Sequence, residues 1–439
     1  MKPPRQGARA ALNASANPLI RIAEKPYRGR GERYRHRPMG FGLRSVHVRG
    51  FRSARDVAFD PGRICALVGE ANAGKSNLLA AIRALLDPAP PPFVPGDASV
   101  GGDGTILIEA ATYDGLTLSR EGTPGAPPRG SPGAALPVVF LPSSLRSEAV
   151  VATSSGNSPA AEHVLGLFRR ALLGRVKERA STAATVPALT LVDAVESCCA
   201  EGIEGVVLLI EEPELFLRPQ AQRYLYRLLR TFAAAGNQVI YSTHAPAFLS
   251  VGHLEELALV IQDSDFGTQV SQPEPLPADE EFRVMSEFDA ERSELFLARA
   301  AILVEGRTEK LVFPFVFQAL GHDADREAVS VIECGGKSNI PLFARICEST
   351  GVPFVAVHDR DAERGRQPIQ AERVLNELIA EMAGPDRTVV LEPDFEGVAG
   401  IRGHKPEGAW RHFRAVSASE VPEPLARAVN LALAGAQLS

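Results

Sequence analysis

The sequence predicts an α/β protein made of two parallel-sheet parts in tandem, the second smaller than the first. Three observations carry this. A five-residue apolar run, Ile64–Val68 (ICALV), passes through a glycine-bearing loop into the helix-forming run Leu78–Leu86 (LLAAIRALL). A second apolar run, Val206–Ile210, ends in paired acids and is followed by an amphipathic stretch, Gln220–Ala235, and a further strand, Gln238–Tyr241. Beyond a segment rich in proline and acid, short apolar runs alternate again with helical periods from Ala301 to Met382, the pattern of a small parallel sheet covered by helices.

A chain of 439 residues has room for two or three domains with cores of their own. No apolar run approaches the roughly 18 residues of a membrane span, so no membrane partner is expected. The formal charge is −6, unevenly spread: residues 1–38 carry +8 and the remainder −14. Nucleic acid would therefore have to meet a local basic groove or a metal site rather than the average surface. Five cysteines show neither C-x-x-C nor zinc spacing, which suits a reducing, cytoplasmic setting. The expected organisation is a basic disordered arm or an upstream start codon at 1–38, a first domain over 39–265, a Pro/acidic linker over 266–292, a second domain over 293–415 and a C-terminal helix over 416–439.

In the first domain Leu43–Phe51 alternates apolar and polar, as an edge-type strand does. Thr105–Arg120 reads as a hairpin about Asp114-Gly115, a pair suited to positive φ. Val138–Leu141 reads as a strand, and Pro159–Arg179 and Val186–Ala200 carry helical spacing. The loop after Ile64–Val68 is GEANAGKSN, which fits G-x-x-x-x-G-K-[ST] between a strand and a helix, the context a phosphate-binding loop needs. Gly69, Asn72, Gly74 and Asn77 shape this candidate ATP site. Lys75 would reach the outer phosphates and the Ser76 hydroxyl would hold Mg²⁺. At the end of the second buried strand, Glu211 would anchor Mg²⁺ through water and Glu212 would orient or deprotonate a hydrolytic water. His244 ends the next strand in YSTHAP, placed to contact a γ-phosphate.

In the second domain the strands are Ala301–Val304, Ala328–Ile332 and Pro353–Val357. The helices are Leu311–Leu320, Asn339–Ser349 and Gln370–Met382. Acids stand where strands end: Glu305 in AILVEG, Asp359 and Asp361 in FVAVHDRD. On extended chain, residues two apart share a face, so these aspartates can share a hard cation through oxygen. Crevices at strand ends of open parallel sheets would bring Glu305 to them. Mg²⁺ or Mn²⁺ held there can polarise a phosphodiester and generate a hydroxide nucleophile. Any one strand-end acid can equally do no more than cap the following helix.

On GEANAGKSN, LLIEEPELFLRPQAQR and YSTHAPAFL, residues 39–265 resemble the ABC-type ATPases of the RecF/SMC/OLD branch. Two departures stand out. No glutamine lies between Gln6 and Gln220, so the family's glutamine-loop contact is missing or replaced, and no LSGGQ-like signature is evident, with Ser181 and Thr182 only weak candidates. ATP binding with slow turnover is the expectation. The segment between Lys75 and Glu211 is short for relatives with an inserted dimerisation domain, which points to a reduced homodimer or higher homo-oligomer through the ATPase part.

On ILVEGRTEK, IECGGKSNI and HDRDAE, the second domain resembles the Toprim domain of OLD-family nucleases. The resemblance implies metal-dependent DNA cleavage in defence against phage or mobile DNA, with the ATPase regulating access. It adds Glu309 to the metal acids and points to Gly306, Gly335, Gly336, Lys337 and Asn339. LEPDFEG and GHKPEGAW match more weakly and would make Glu396 a further metal acid and Lys405 a stabiliser of transition-state charge. A topoisomerase needs a tyrosine nucleophile, whereas the last tyrosine is Tyr241; a primase brings a zinc module, which the cysteines do not supply. The alternatives carried forward are a non-cleaving, ATP-switched DNA-binding protein like RecF or SMC heads and a nuclease acting on RNA.

Overall fold

The computed structural model describes residues 40–87, 91–127, 129–130, 136–143, 153–155, 159–178, 186–215, 217–249, 251–274, 291–361, 369–401 and 406–438. The readings of residues 1–38, of Ser181 and Thr182, and of Lys405 lie outside them. The described residues of the first half begin with β1 (Leu43–Phe51), β2 (Ala54–Phe59), β3 (Ile64–Val68) and α1 (Lys75–Leu86), followed by β4 (Ile106–Thr112), β5 (Thr117–Gly122), β6 (Val138–Leu141) and β7 (Thr153–Ser155). Then come α2 (Pro159–Glu178), α3 (Val186–Ala200), β8 (Val207–Glu211), α4 (Pro219–Ala234), β9 (Gln238–Thr243), β10 (Leu257–Asp263) and β11 (Gly267–Ser271). They build an 11-stranded sheet in the order β5-β4-β1-β2-β11-β10-β3-β9-β8-β6-β7. Strands β10, β3, β9, β8 and β6 run parallel to their neighbours in that series. Every residue of β3 and β9 is buried, which is why those runs lack alternation.

Two expectations need correction here. β1 is not an edge strand, because β4 and β2 pair with it on either side. Its alternation has another cause: in an antiparallel meander with one face on the core, interior strands alternate too, and Val46, Val48 and Phe51 face that core. The stretch assigned to the linker also starts with structure. β11 pairs antiparallel with β10 and reaches Ala54 of β2 through Gly267, so the sheet continues to Ser271.

The second half holds β12 (Ala300–Val304), α5 (Arg307–Ala319), β13 (Val329–Glu333), α6 (Ile340–Thr350), β14 (Phe354–Asp359) and α7 (Ile369–Ala383). β15 (Thr388–Leu391), α8 (Phe395–Ala399), α9 (Pro406–Phe413) and α10 (Glu423–Leu438) complete it. Its four strands form a sheet in the order β13-β12-β14-β15, every pairing parallel. The strand–helix rhythm read from the sequence is observed to within a few residues at each end. One face of the sheet packs on α5 and α10 through Val312, Phe313, Leu425 and Val429. The C-terminal helix is thus a cover for the sheet rather than an appendage.

The opposite face, carrying Ala301, Leu303 and Ala356, packs on α6 and α7. This core is continuous with that of the first half: Leu295 and Phe296, from a 3-10 turn just before β12, join a cluster that includes Phe248, Leu249 and Leu254. Residues 40–439 form one compact unit.

Candidate functional sites

The phosphate loop is shaped by backbone conformations that side chains resist. Gly69 has φ 158°, and a Cβ there would lie 2.0 Å from the Val260 carbonyl oxygen. Gly74 has φ 109°, and its Cβ would lie 2.0 Å from Thr268 Oγ1. Asn72, at φ 68°, occupies the left-handed region that asparagine tolerates better than most residues. The loop delivers the chain into α1, whose free N–H groups and dipole favour an anion at that end.

Lys75 is 5% exposed and folds back over the loop, donating from Nζ to the carbonyls of Gly69 (2.8 Å) and Glu70 (2.7 Å). Burial draws its pKa down to about 8, against the opposing charges of Glu212, Glu214 and Glu70. Ser76 is exposed at the first turn of α1. Asn77 is held from below: its Nδ2 donates to Ser53 Oγ at 2.7 Å, and Arg52 Nη1 donates to its Oδ1 at 3.4 Å. Its visible work is to brace the loop against the β1–β2 turn. Thr268 of β11 continues that brace, donating to the carbonyl of Ala73 at 3.0 Å and lying 2.8 Å from Ser53 Oγ.

Parallel pairing sets Glu211 of β8 beside Ser242 of β9, which brings the paired acids and the YSTH segment together. Glu211 Oε2 accepts from the Ser143 backbone N–H (3.0 Å) and hydroxyl (3.3 Å) at the end of β6. Glu212 has φ 44°, an uncommon conformation for a residue with a side chain; its N–H donates to the Ser242 carbonyl at 3.0 Å. That turn sets Glu212 Oε1 3.4 Å from His244 Nε2. Burial and the nearby Lys75 charge hold the imidazole below its usual pKa.

Glu214 was not anticipated, although it stands in the same EEPE run. It is buried, and its Oε1 accepts both from Thr243 Oγ1 (2.9 Å) and from the His244 N–H (2.6 Å). Burial lifts its pKa. Ser143 and Thr268 were missed as well, since each acts on residues far away in sequence. Ser143 follows an apolar strand run, the one local signal it offers.

In the second half, Glu305, Asp359 and Asp361 each present a carboxylate oxygen within 4.8 Å of the others, the one such group of acids among the described residues. The strand-end placement expected of Glu305 and Asp359 is observed. The extended-chain account of Asp361 is not: β14 ends at Asp359, and Asp361 has φ 52°. A left-handed turn, not strand alternation, returns its carboxylate to the cluster.

Glu305 Oε1 accepts from the Asp359 N–H at 2.7 Å, and Asp359 Oδ1 accepts from the Phe395 N–H at 2.8 Å. Burial, with the Asp359 charge added, pushes the Glu305 pKa up to about 8. Burial, with the Glu309 charge added, pushes that of Asp359 up to about 7. Lys337, buried, donates to the Asp359 carbonyl (2.6 Å) and to Glu372 (3.1 Å), and lies 3.6 Å from Asp361 Oδ2.

Converging oxygen donors whose charges repel are what a hard divalent cation relieves, so the residues fit Mg²⁺ or Mn²⁺. Glu309 and Glu396 do not join the three-acid group. Glu309 is buried in the first turn of α5, its pKa raised by burial and by the charges of Glu396 and Glu333, so these acids lie in one field beside the cluster.

Residues 296–361 match the family described as overcoming lysogenization defect protein-like, TOPRIM domain, and residues 188–250 match an AAA domain family. The chain is 35% identical over 236 residues to the OLD nuclease of Thermus scotoductus, covering 49% of this chain and 45% of that protein. Over these segments the chain is similar to OLD-family nucleases. Its similarity to the Old nuclease of Escherichia phage P2 is 29% over 164 residues, covering 36% of this chain and 28% of the phage protein. It thus spans less than half the length of these curated relatives. Among solved structures, the SMC head domain from Thermotoga maritima is similar at 14% identity and a TM-score of 0.35, covering 53% of this chain and 99% of that one.

The Toprim match contains Glu305, Glu309, Asp359 and Asp361 and ends before Glu396 and Lys405. The AAA match contains Glu211, Glu212, Glu214 and His244. Among the described residues no helix is long and apolar enough to cross a membrane.

Proposed function

We propose that this chain is an ATP-binding nuclease, dependent on Mg²⁺ or Mn²⁺, that cuts or nicks DNA in defence against phage or mobile DNA, its nucleotide site regulating the cutting. The observation that carries this reading is the convergence of Glu305, Asp359 and Asp361 at the strand ends of a parallel sheet.

Those three acids would hold the cation through oxygen. A bound divalent ion supplies Lewis acidity toward a phosphodiester and lowers the pKa of an attacking water. Lys337 holds Asp361 and the Asp359 backbone in place, and its ammonium offsets part of the acidic charge that a phosphate strand would otherwise meet. At the ATP site, Lys75 would transfer its bonds from the loop carbonyls to phosphate oxygens. Ser76 and Glu211 would hold Mg²⁺. Glu212 would orient water, and His244, neutral and beside it, would donate to or accept from the γ-phosphate region. Glu309 and Glu396 extend the acidic field, Lys405 is assigned to the same chemistry, and the assembly is a homo-oligomer through the ATPase half.

The test is incubation of the full chain with supercoiled plasmid and with total RNA, with and without ATP and Mn²⁺. Plasmid nicking that Asp359→Ala and Glu305→Ala abolish, with ATP binding intact, is the expected result. Cleavage retained in both variants removes the site assignment. Degraded RNA beside intact plasmid redirects the substrate to RNA, and ATP-dependent DNA binding without nicking makes the chain a switched binding protein.

A further inference from the structure

Glu70 is the second residue of the phosphate loop, an acid set next to groups that are to receive several negative charges. Its backbone carbonyl accepts the Lys75 ammonium at 2.7 Å. Its carboxylate is occupied from elsewhere: Arg299 donates from Nε to Oε1 at 2.7 Å and from Nη2 to Oε2 at 3.0 Å. This two-point fork fixes direction as well as charge. The pair acts on both groups, drawing the Glu70 pKa down and lifting that of Arg299.

Arg299 belongs to the metal-site half. It immediately precedes β12, whose far end leads into Glu305, and its N–H donates to the Ala328 carbonyl at 2.9 Å, anchoring it beside β13. The side chains are 47% and 51% exposed, so as an isolated surface pair they would add little stability. Their consequence lies in the charge of the loop. With Arg299 in place the loop offers Lys75 and a neutralised Glu70; without it, the loop offers an acid beside the lysine.

We propose that Arg299 is a nucleotide-site residue supplied by the metal-site half: by neutralising Glu70 within the phosphate loop, it makes affinity for a nucleoside triphosphate depend on how that half is seated. This rests on the reading of the loop as the ATP site and names a determinant that the loop motif does not contain. Arg299 acts through Glu70 as a positioning and charge-compensating residue.

A double-mutant cycle on the full chain tests it, with Mg²⁺–ATP affinity measured by calorimetry. Arg299→Gln is expected to weaken binding by about three- to tenfold, the effect of one unscreened charge near the phosphates in partly solvated surroundings. Glu70→Gln is expected to bind at least as tightly as the parent. The double variant should return to within about twofold of Glu70→Gln. A double variant as weak as Arg299→Gln would mean that the arginine contacts nucleotide or shapes the fold directly, and overturns the proposal; so does Arg299→Gln binding like the parent. Arg299→Lys, which keeps the charge without the fork, should fall between Arg299→Gln and the parent, and melting curves without nucleotide verify that each variant folds. Lys75→Ala separates the two levels. Binding lost there but unchanged in Arg299→Gln removes this inference alone, whereas a parent chain that binds no ATP removes the site reading and the inference with it.

Discussion

Glu305→Gln should make the protein more stable in alkaline solution without metal while destroying its metal response. The side chain is half-buried and sits with Asp359 in a common field, so its pKa rises from 4.5 to about 8. Between those two values the folded state keeps a proton that the unfolded state has released. Stability contributed by this group therefore falls as pH rises from about 4.5 through about 8 and levels off above. At about 1.4 kcal/mol per pKa unit, less an allowance for residual solvent contact, the ionised carboxylate costs the apo fold on the order of 3 kcal/mol at pH 8.5. Glutamine retains an oxygen to accept the Asp359 N–H and carries no charge. Urea unfolding in the presence of a chelator should find parent and variant within about 1 kcal/mol at pH 5, the variant ahead by on the order of 3 kcal/mol at pH 8.5. Adding Mg²⁺ should reverse the order at high pH, because ionised carboxylates bind the cation and an amide does so weakly. Stability curves that run parallel across this range, or a variant that still gains from Mg²⁺ as the parent does, would refute the reasoning.

Two further outcomes follow from the nucleotide site. Gly74→Ala should lower the melting temperature by several degrees and abolish ATP binding: the residue lies at φ 109° with Thr268 Oγ1 2.0 Å from the new Cβ, a combination of strain and overlap on the order of 2 kcal/mol or more. Glu214→Ala should leave ATP binding near the parent value but slow ATP turnover about tenfold or more, since the Thr243 hydroxyl and the His244 N–H lose their acceptor and the imidazole its placement. Glu214→Gln, which keeps an acceptor, should recover much of the rate; equal turnover in alanine and parent would show that His244 needs no such support.

What was legible in the sequence was local. The strand before the phosphate loop and the helix after it, the acids after β8 and the strand ends near Glu305 and Asp359 all follow from apolar runs and from the rule that parallel sheets open at their carboxyl ends. β1 misled because alternation reports how many faces of a strand are buried, and says nothing of how many neighbours pair with it. Asp361 reached the expected place by an unexpected route, a left-handed residue that no period of two describes.

The supports of the site were hidden for a different reason. Thr268 lies in GTQVS, a short and mostly polar stretch beside a proline-rich segment, and nothing local marks it as a strand. Its assignment depends on pairing with β10 and β2, and its hydroxyl serves Ala73, 195 positions earlier. Arg299 is likewise an ordinary basic residue until the two halves meet, when its guanidinium finds Glu70 across 229 positions of chain. A motif records which atoms must face the ligand. The residues that hold those atoms in place, or set their charge, are chosen by tertiary contact, and in this chain the contacts on the phosphate loop come from β11 and the β1–β2 turn on one side and from the metal-site half on the other. A loop braced from both sides feels the position of each, so on the proposal made above any influence between the proposed nucleotide and metal sites would run through the Glu70–Arg299 pair.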